Sequence, residues 1–164
     1  MTDVMDNHQA PQDELAVTDP RWAALLSYWR ELKRGSKLPP RGALDPSALP
    51  AGLMPHFFIY DVVSDRQDYR MRLAGSMLCA IVGSEMRGKM FDDIHPADQA
   101  AAIRHEFDEV VSSGKPHYAE RSAQWLPDRQ LPYRRLLLPF AEDGRTVDCL
   151  GGASLFELEL PPRF

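Results

Sequence analysis

Between Pro20 and Arg34, Trp22, Leu25, Leu26, Trp29 and Leu32 recur at the three- and four-residue spacing of one helical face, with polar positions between them. Asp19-Pro20 supplies an N-cap and a first-turn proline, and Lys33-Arg34-Gly35 a basic last turn and a glycine stop. The spacing therefore predicts a helix over 20–34. The rhythm then breaks into a proline-punctuated connector over 36–55, in which Asp45-Pro46 predicts a second, short helix to about Leu49. HFFIYDVV (56–63), aromatic and β-branched, predicts a strand. A turn over Ser64–Gln67 leads into a paired strand, Tyr69–Ala74. Strict alternation in it would place Tyr69, Met71 and Leu73 on one face and Arg70, Arg72 and Ala74 on the other.

Gly75 stops that strand. A short apolar helix is expected from Ser76, as its cap, through Val82, with Gly83 ending it. After a loop closed by Gly88, Pro96 opens the longest helix, to about Ser113; its stripe is Ala100, Ile103, Phe107, Val110 and Val111. The rest is strand material, over roughly 117–125, 132–141 and 146–157. Asp143-Gly144 marks a hairpin between the last two. A leading helix, two strands, helices and three more antiparallel strands make an α+β order. The expected divisions are an acidic disordered tail (1–18), an amphipathic helix (19–35), one domain (36–158) and a short C-terminal tail (159–164).

Composition narrows the function. The chain has 164 residues, 44% of them apolar, enough for one buried core. Its net charge of -5 lies in the first 19 residues, which hold Asp3, Asp6, Asp13, Glu14 and Asp19 and no Lys or Arg. Residues 20–164 balance 19 basic against 19 acidic side chains. A neutral body with an acidic tail argues against a nucleic-acid partner, which needs a basic surface. Cys79 and Cys149 stand far apart among apolar neighbours, the setting of small buried hydrophobes, and no Cys-x-x-Cys occurs. The N-terminus lacks the basic-then-apolar layout of a signal peptide, and no apolar run reaches the ~20 residues that cross a bilayer. A soluble, cytoplasmic chain with no membrane partner is expected.

The series Tyr69-Arg70 through Arg72-Leu73-Ala74-Gly75, then Gly83, Gly88 and His95-Pro96-Ala97-Asp98, resembles a PAS domain. Trp29, Pro39, Arg41, Asp45-Pro46, Leu53–Asp61 and the closing strands 133–140 and 147–156 extend the likeness over about residues 20–157. It is closest in kind to the bacterial subfamily in which one PAS domain makes up most of a small protein. The resemblance implies a five-stranded antiparallel sheet in the order 2-1-5-4-3, with helices on one face and an added N-terminal helix. It also implies a pocket between sheet and helices, for which Phe58, Tyr60, Met71, Leu73, Met77, Met90, Phe107, Trp125 and Arg135 are the candidate lining. Such proteins are sensors or interaction modules and not enzymes. With no attached output segment expected, the signal would pass to a protein partner in trans. The Trp22, Leu25, Leu26, Trp29 and Leu32 stripe has two uses open to it: docking on its own sheet, or meeting its copy in a homodimer.

Other chemistry finds little support. A haem ligand at His105 would sit about 200° around the helix from Ile103, at ~100° per residue, facing away from the pocket. Cys79 lacks the Asn-Cys-Arg-Phe-Leu-Gln surroundings of flavin photosensors, and no histidine pair has metal-site spacing. The cofactor, if any, is thus left open. His95 is expected as a structural cap, and His56 and His117 as surface groups opening strands. Arg70, Arg72, Arg134 and Arg135 either enter the pocket, favouring an anionic ligand, or pair with acids on the outer face. The enzymatic alternative is a small α+β-cone isomerase or dehydratase with an acid–base pair. Its candidates, Asp61 and His56, lie five positions apart on one strand and so on opposite faces.

Overall fold

The computed structural model describes residues 19–63, 68–123 and 130–158. The expected acidic tail, the 64–67 turn, Trp125 with most of its loop, and the C-terminal tail lie outside the described residues.

Helix α1 (Pro20–Leu32) starts where the cap predicts: the Asp19 carboxylate accepts the Arg21 backbone N–H at 2.9 Å. Lys33 is its C-cap, and Arg34 and Gly35 both take positive φ, so the helix stops two residues before the expected Arg34. The connector holds three single turns of 3₁₀ helix, Arg41–Ala43, Pro46–Ala48 and Met54–His56, the second capped by Asp45 as expected. Strands β1 (Phe57–Val63) and β2 (Asp68–Ala74) follow, then α2 (Ser76–Val82), α3 (Phe91–Ile94) and α4 (Ala97–Ser113). β3 (His117–Ala123), β4 (Leu131–Phe140) and β5 (Cys149–Phe156) complete the chain. Two details differ from expectation. Ser76 is the first residue of α2 and Gly75 takes the cap position. The β4–β5 connection spans 141–148, longer than the expected 142–145; the Asp143 carboxylate accepts the N–H groups of Arg145 and Thr146, and Asp143-Gly144 lies in the turn as expected.

All five strands form one antiparallel sheet in the order β2-β1-β5-β4-β3. The last strand is therefore its centre, paired with β1 on one side and β4 on the other. Gly152 makes this possible, since a Cβ there would overlap the Leu136 carbonyl and press on the Phe58 ring. Gly75 meets the same limit, because a Cβ would collide with the Pro55 backbone where β2 turns into α2.

The β1–β2 ladder contains a bulge. Ile59 pairs with Leu73 but Tyr60 pairs with Met71, leaving Arg72 as the extra residue. That shift reverses the alternation. Tyr69 and Met71 are buried beneath the helices, whereas Leu73 joins Ile59 on the opposite face, in a surface groove with Leu44 and Pro46. Leu73 is thus corrected from the pocket face to the outer face.

α1 lies across that outer face. The Trp29 indole N–H donates to the Pro139 carbonyl at 2.8 Å, and Trp22 meets Tyr118 edge-on, with ring centroids 6.0 Å apart. Trp22, Leu25, Leu26 and Trp29 are all buried within their own chain, and Leu32 packs partly against the same core. We expect Trp22→Ala to cost about 3–5 kcal/mol, the usual loss for truncating a buried aromatic. Urea unfolding would measure it, and a loss below about 1 kcal/mol would mean that α1 is not held on the sheet.

Candidate functional site

A cavity of about 50 Å³ lies between the inner face of the sheet and the helices. Both the sheet and the helices on its inner face contribute to the wall. β1 and β2 supply Phe58, Tyr60 and Met71; α2 supplies Leu78 and Val82. Met86, Ile94 and His95 come from the segment around α3, and Phe107 from α4. β4 and β5 close it with Tyr133, Arg135, Ser154 and Phe156. Phe107 anchors the helical side, meeting Tyr60, Tyr69 and Phe91 nearly edge-on at centroid separations of 5.1, 5.1 and 5.3 Å.

The polar feature of this wall is an ion network. Arg135 is 4% exposed and Glu106 2% exposed. The Arg135 guanidinium donates to one oxygen of Glu106, and Arg121 pairs with the other. Arg135 also lies over the Phe107 ring, 5.4 Å from its centroid. Burial makes the charged form of Arg135 less favourable than in water, but an arginine stays protonated, so the charge has to be met by partners. One carboxylate serves two guanidiniums, and among the described residues the Nε–H of Arg135 has no hydrogen-bond partner.

His95 corrects the capping expectation. The N-cap of α4 is Pro96, with no side-chain bond to the helix, while the His95 imidazole is buried 4.4 Å from the Phe91 ring centroid and lines the cavity. Burial, then the positive charges of Arg135 and Arg104, push its pKa down to about 4, opposed by Asp92. It is therefore neutral near pH 7. His117 is also buried, not a surface group, and its pKa is lowered, first by burial and then by Arg135.

The remaining expected site residues disperse. Met77 packs on a second small cluster with Ile81, Ala123, Leu131 and Tyr133. Met90 pairs through its backbone with Arg70 beside edge strand β2 and is absent from the cavity wall. Trp125 lies outside the described residues. Arg72 and Arg41 both bind Asp61 on the outer face, and Arg134 approaches Asp19 there, so of the four strand arginines Arg135 lines the cavity. The acid–base pair considered for an enzyme does not assemble there, since Asp61 is held by those arginines and His56 is not among the lining residues. His105 is exposed, and Cys79 contacts the Ala74 carbonyl and Glu85 instead of the cavity. Among the described residues no cluster of His, Cys, Asp or Glu could hold a metal ion, and no helix is long and apolar enough to cross a membrane. Sequence reasoning missed Glu106, which stands within the apolar stripe of α4, three residues after Ile103 and four before Val110.

A PAS-domain family model matches residues 17–154. No curated protein matches the sequence. Solved structures similar in fold include the following two. The PAS domain of BvgS from Bordetella pertussis superposes with a TM-score of 0.52 at 17% identity, over 64% of this chain and 79% of that one. A LOV protein of Rhodobacter sphaeroides superposes with a TM-score of 0.51 at 15% identity, over 64% and 59% respectively. With the family match spanning most of the chain and the sheet order in place, this chain belongs to the PAS domain family. The fold and family make it a module of the sensory and signalling type.

Two measurements bear on the site. Glu106→Gln should cost about 3–5 kcal/mol, because it strands the buried Arg135 charge, whereas Glu106→Leu combined with Arg135→Met should recover most of that loss. An additive double variant in denaturant titrations would mean the pair is not coupled. His95 gives a pH signature. Its folded pKa of about 4 lies below the ordinary value of 6.5, so between those values the unfolded chain binds the extra proton. Stability should therefore fall as pH drops from 6.5 toward 4, by on the order of 3 kcal/mol from this group. His95→Gln should flatten the slope in that window, and an unchanged slope would place the imidazole in water.

Proposed function

We propose that this protein is a sensory module that binds a small ligand in the cavity between sheet and helices and signals by associating with another protein. The observation that supports the reading is the cavity itself, whose wall draws on four of the five strands' neighbourhood and on α2 and α4, so an occupant would touch both layers at once. Binding would act by favouring one packing of these layers over another. The apolar wall and the few converging polar groups are what small-molecule sites generally offer. A cytoplasmic, bacterial setting belongs to the same proposal, as does action by association and not by catalysis.

A homodimer is also part of it. Because Trp22, Leu25, Leu26 and Trp29 are buried in their own chain, that stripe can serve an isologous dimer only by exchange, with α1 of each chain docking on the sheet of the other. Sedimentation should then give a dimer mass that falls to the monomer mass in the Trp22→Ala, Trp29→Ala double variant. A monomer mass for the unaltered chain removes the dimer.

The ligand reading is tested by thermal-shift screening with small molecules, together with native mass spectrometry of the purified chain. A ligand-dependent rise in Tm is expected, and Val82→Phe, which fills the cavity wall, should abolish it. Binding that survives Val82→Phe lies elsewhere on the molecule and overturns the reading.

A further inference from the structure

Resting on the ligand reading above, we infer that the cavity takes a short-chain carboxylate, a monoanion with a small apolar tail, held at the Arg135 guanidinium. The argument is one of charge, size and wall chemistry.

Charge comes first. Glu106 uses one oxygen for Arg135 and the other for Arg121, so its single negative charge is divided between two cations. Among the described residues no acidic side chain lines the cavity, and His95 adds no negative charge. The network therefore sets two positive charges against one negative, and among the described residues the Nε–H of buried Arg135 has no acceptor. Groups in that state are costly, and in native structures they are generally answered by water, an ion or a ligand. A carboxylate suits a guanidinium better than a neutral polar group does, because its hydrogen bonds are charge-assisted and planar.

Size and wall chemistry then narrow the class. At about 10–15 Å³ for each water-sized probe, a 50 Å³ cavity holds the equivalent of a few non-hydrogen atoms. That accommodates an anion of acetate or propionate size and is far too small for a dinucleotide or a macrocycle. Beyond Arg135, the hydroxyl-bearing Tyr60, Tyr133 and Ser154 also line it, while Met71, Leu78, Val82 and Met86 make the far wall apolar. An apolar far wall suits an alkyl tail. It suits phosphate or sulfate poorly, since their oxygens need donors on every side and their second charge would exceed what one arginine can meet.

The full chain, dialysed free of carboxylates, would be titrated by calorimetry and thermal shift with acetate, propionate and butyrate against matched sodium chloride. Propionamide and inorganic phosphate are the controls. Saturable binding of a carboxylate is expected, with the amide weaker by at least about tenfold, the difference between a charge-assisted and a neutral hydrogen bond. The Glu106→Leu, Arg135→Met double variant, which removes both charges and so spares the fold, should bind carboxylate no better than amide. If propionamide binds as tightly as propionate, the cavity remains a ligand site but the carboxylate inference is overturned. If a screened neutral compound binds and no carboxylate does, the same holds. If no small molecule binds at all, both this inference and the ligand reading fall.

Discussion

The interaction on which the architecture depends is the seating of β5 between β1 and β4. Two antiparallel pairs, one formed early in the chain and one late, become a single curved sheet because this strand hydrogen-bonds to both. Its middle carries Gly151 and Gly152, with the rings of Phe140 and Phe57 closing toward the first and Phe58 toward the second. Aromatic bulk on the flanking strands substitutes for side chains on the central one. The sheet's two faces can then be packed differently, α1 on the outer and α2 to α4 on the inner.

The inner face combines two kinds of packing. Around Phe107 the rings of Tyr60, Tyr69 and Phe91 interlock nearly edge-on. At its margin, charged groups are buried where a continuous apolar core would have been easier to stabilise. Tyr69 is tied to α4 through a 2.5 Å hydrogen bond from its hydroxyl to Asp108, and Arg104 reaches Asp68 and Asp92. α4 is therefore held to β2 and α3 by these contacts and to β4 by the Glu106–Arg135 pair. The cavity adjoins a helix fixed to the sheet by both sets of contacts, which is a physical reason for it to persist in the folded chain.

The elements were readable where periodicity was long or capping chemistry specific. The α1 stripe repeats over more than three turns, and Asp19-Pro20 and Asp45-Pro46 each act at the backbone as their residue types predict. α3 is only four residues long, too short to show a period, and its absence from the sequence reading is what misplaced His95. Leu73 was misassigned because alternation assumes an unbroken ladder, and nothing in the side chains of Arg70 to Ala74 marks Arg72 as the bulged position. The sheet order followed from family likeness, since no local pattern says that the last strand enters the middle. Of the cavity, the aromatic and methionine positions of β1, β2 and α4 could be anticipated. Glu106 carried a signal, a charge on a buried stripe, but its partners lie on β3 and β4 and are brought to it by the fold alone.

The placement of the final strand also shapes how the molecule comes into being. During synthesis at ~5–20 residues per second, the β1–β2 hairpin waits roughly 4 to 15 seconds for the chain to reach β5. Throughout that interval β1 offers Phe57 and Ile59 along an unoccupied edge, the kind of template to which another nascent strand can attach. Closure of so distant a pairing is entropically slow as well. The same topology that gives the finished fold an uninterrupted sheet thus leaves β1 and β2 dependent on dilution or on chaperone cover until β5 has left the ribosome.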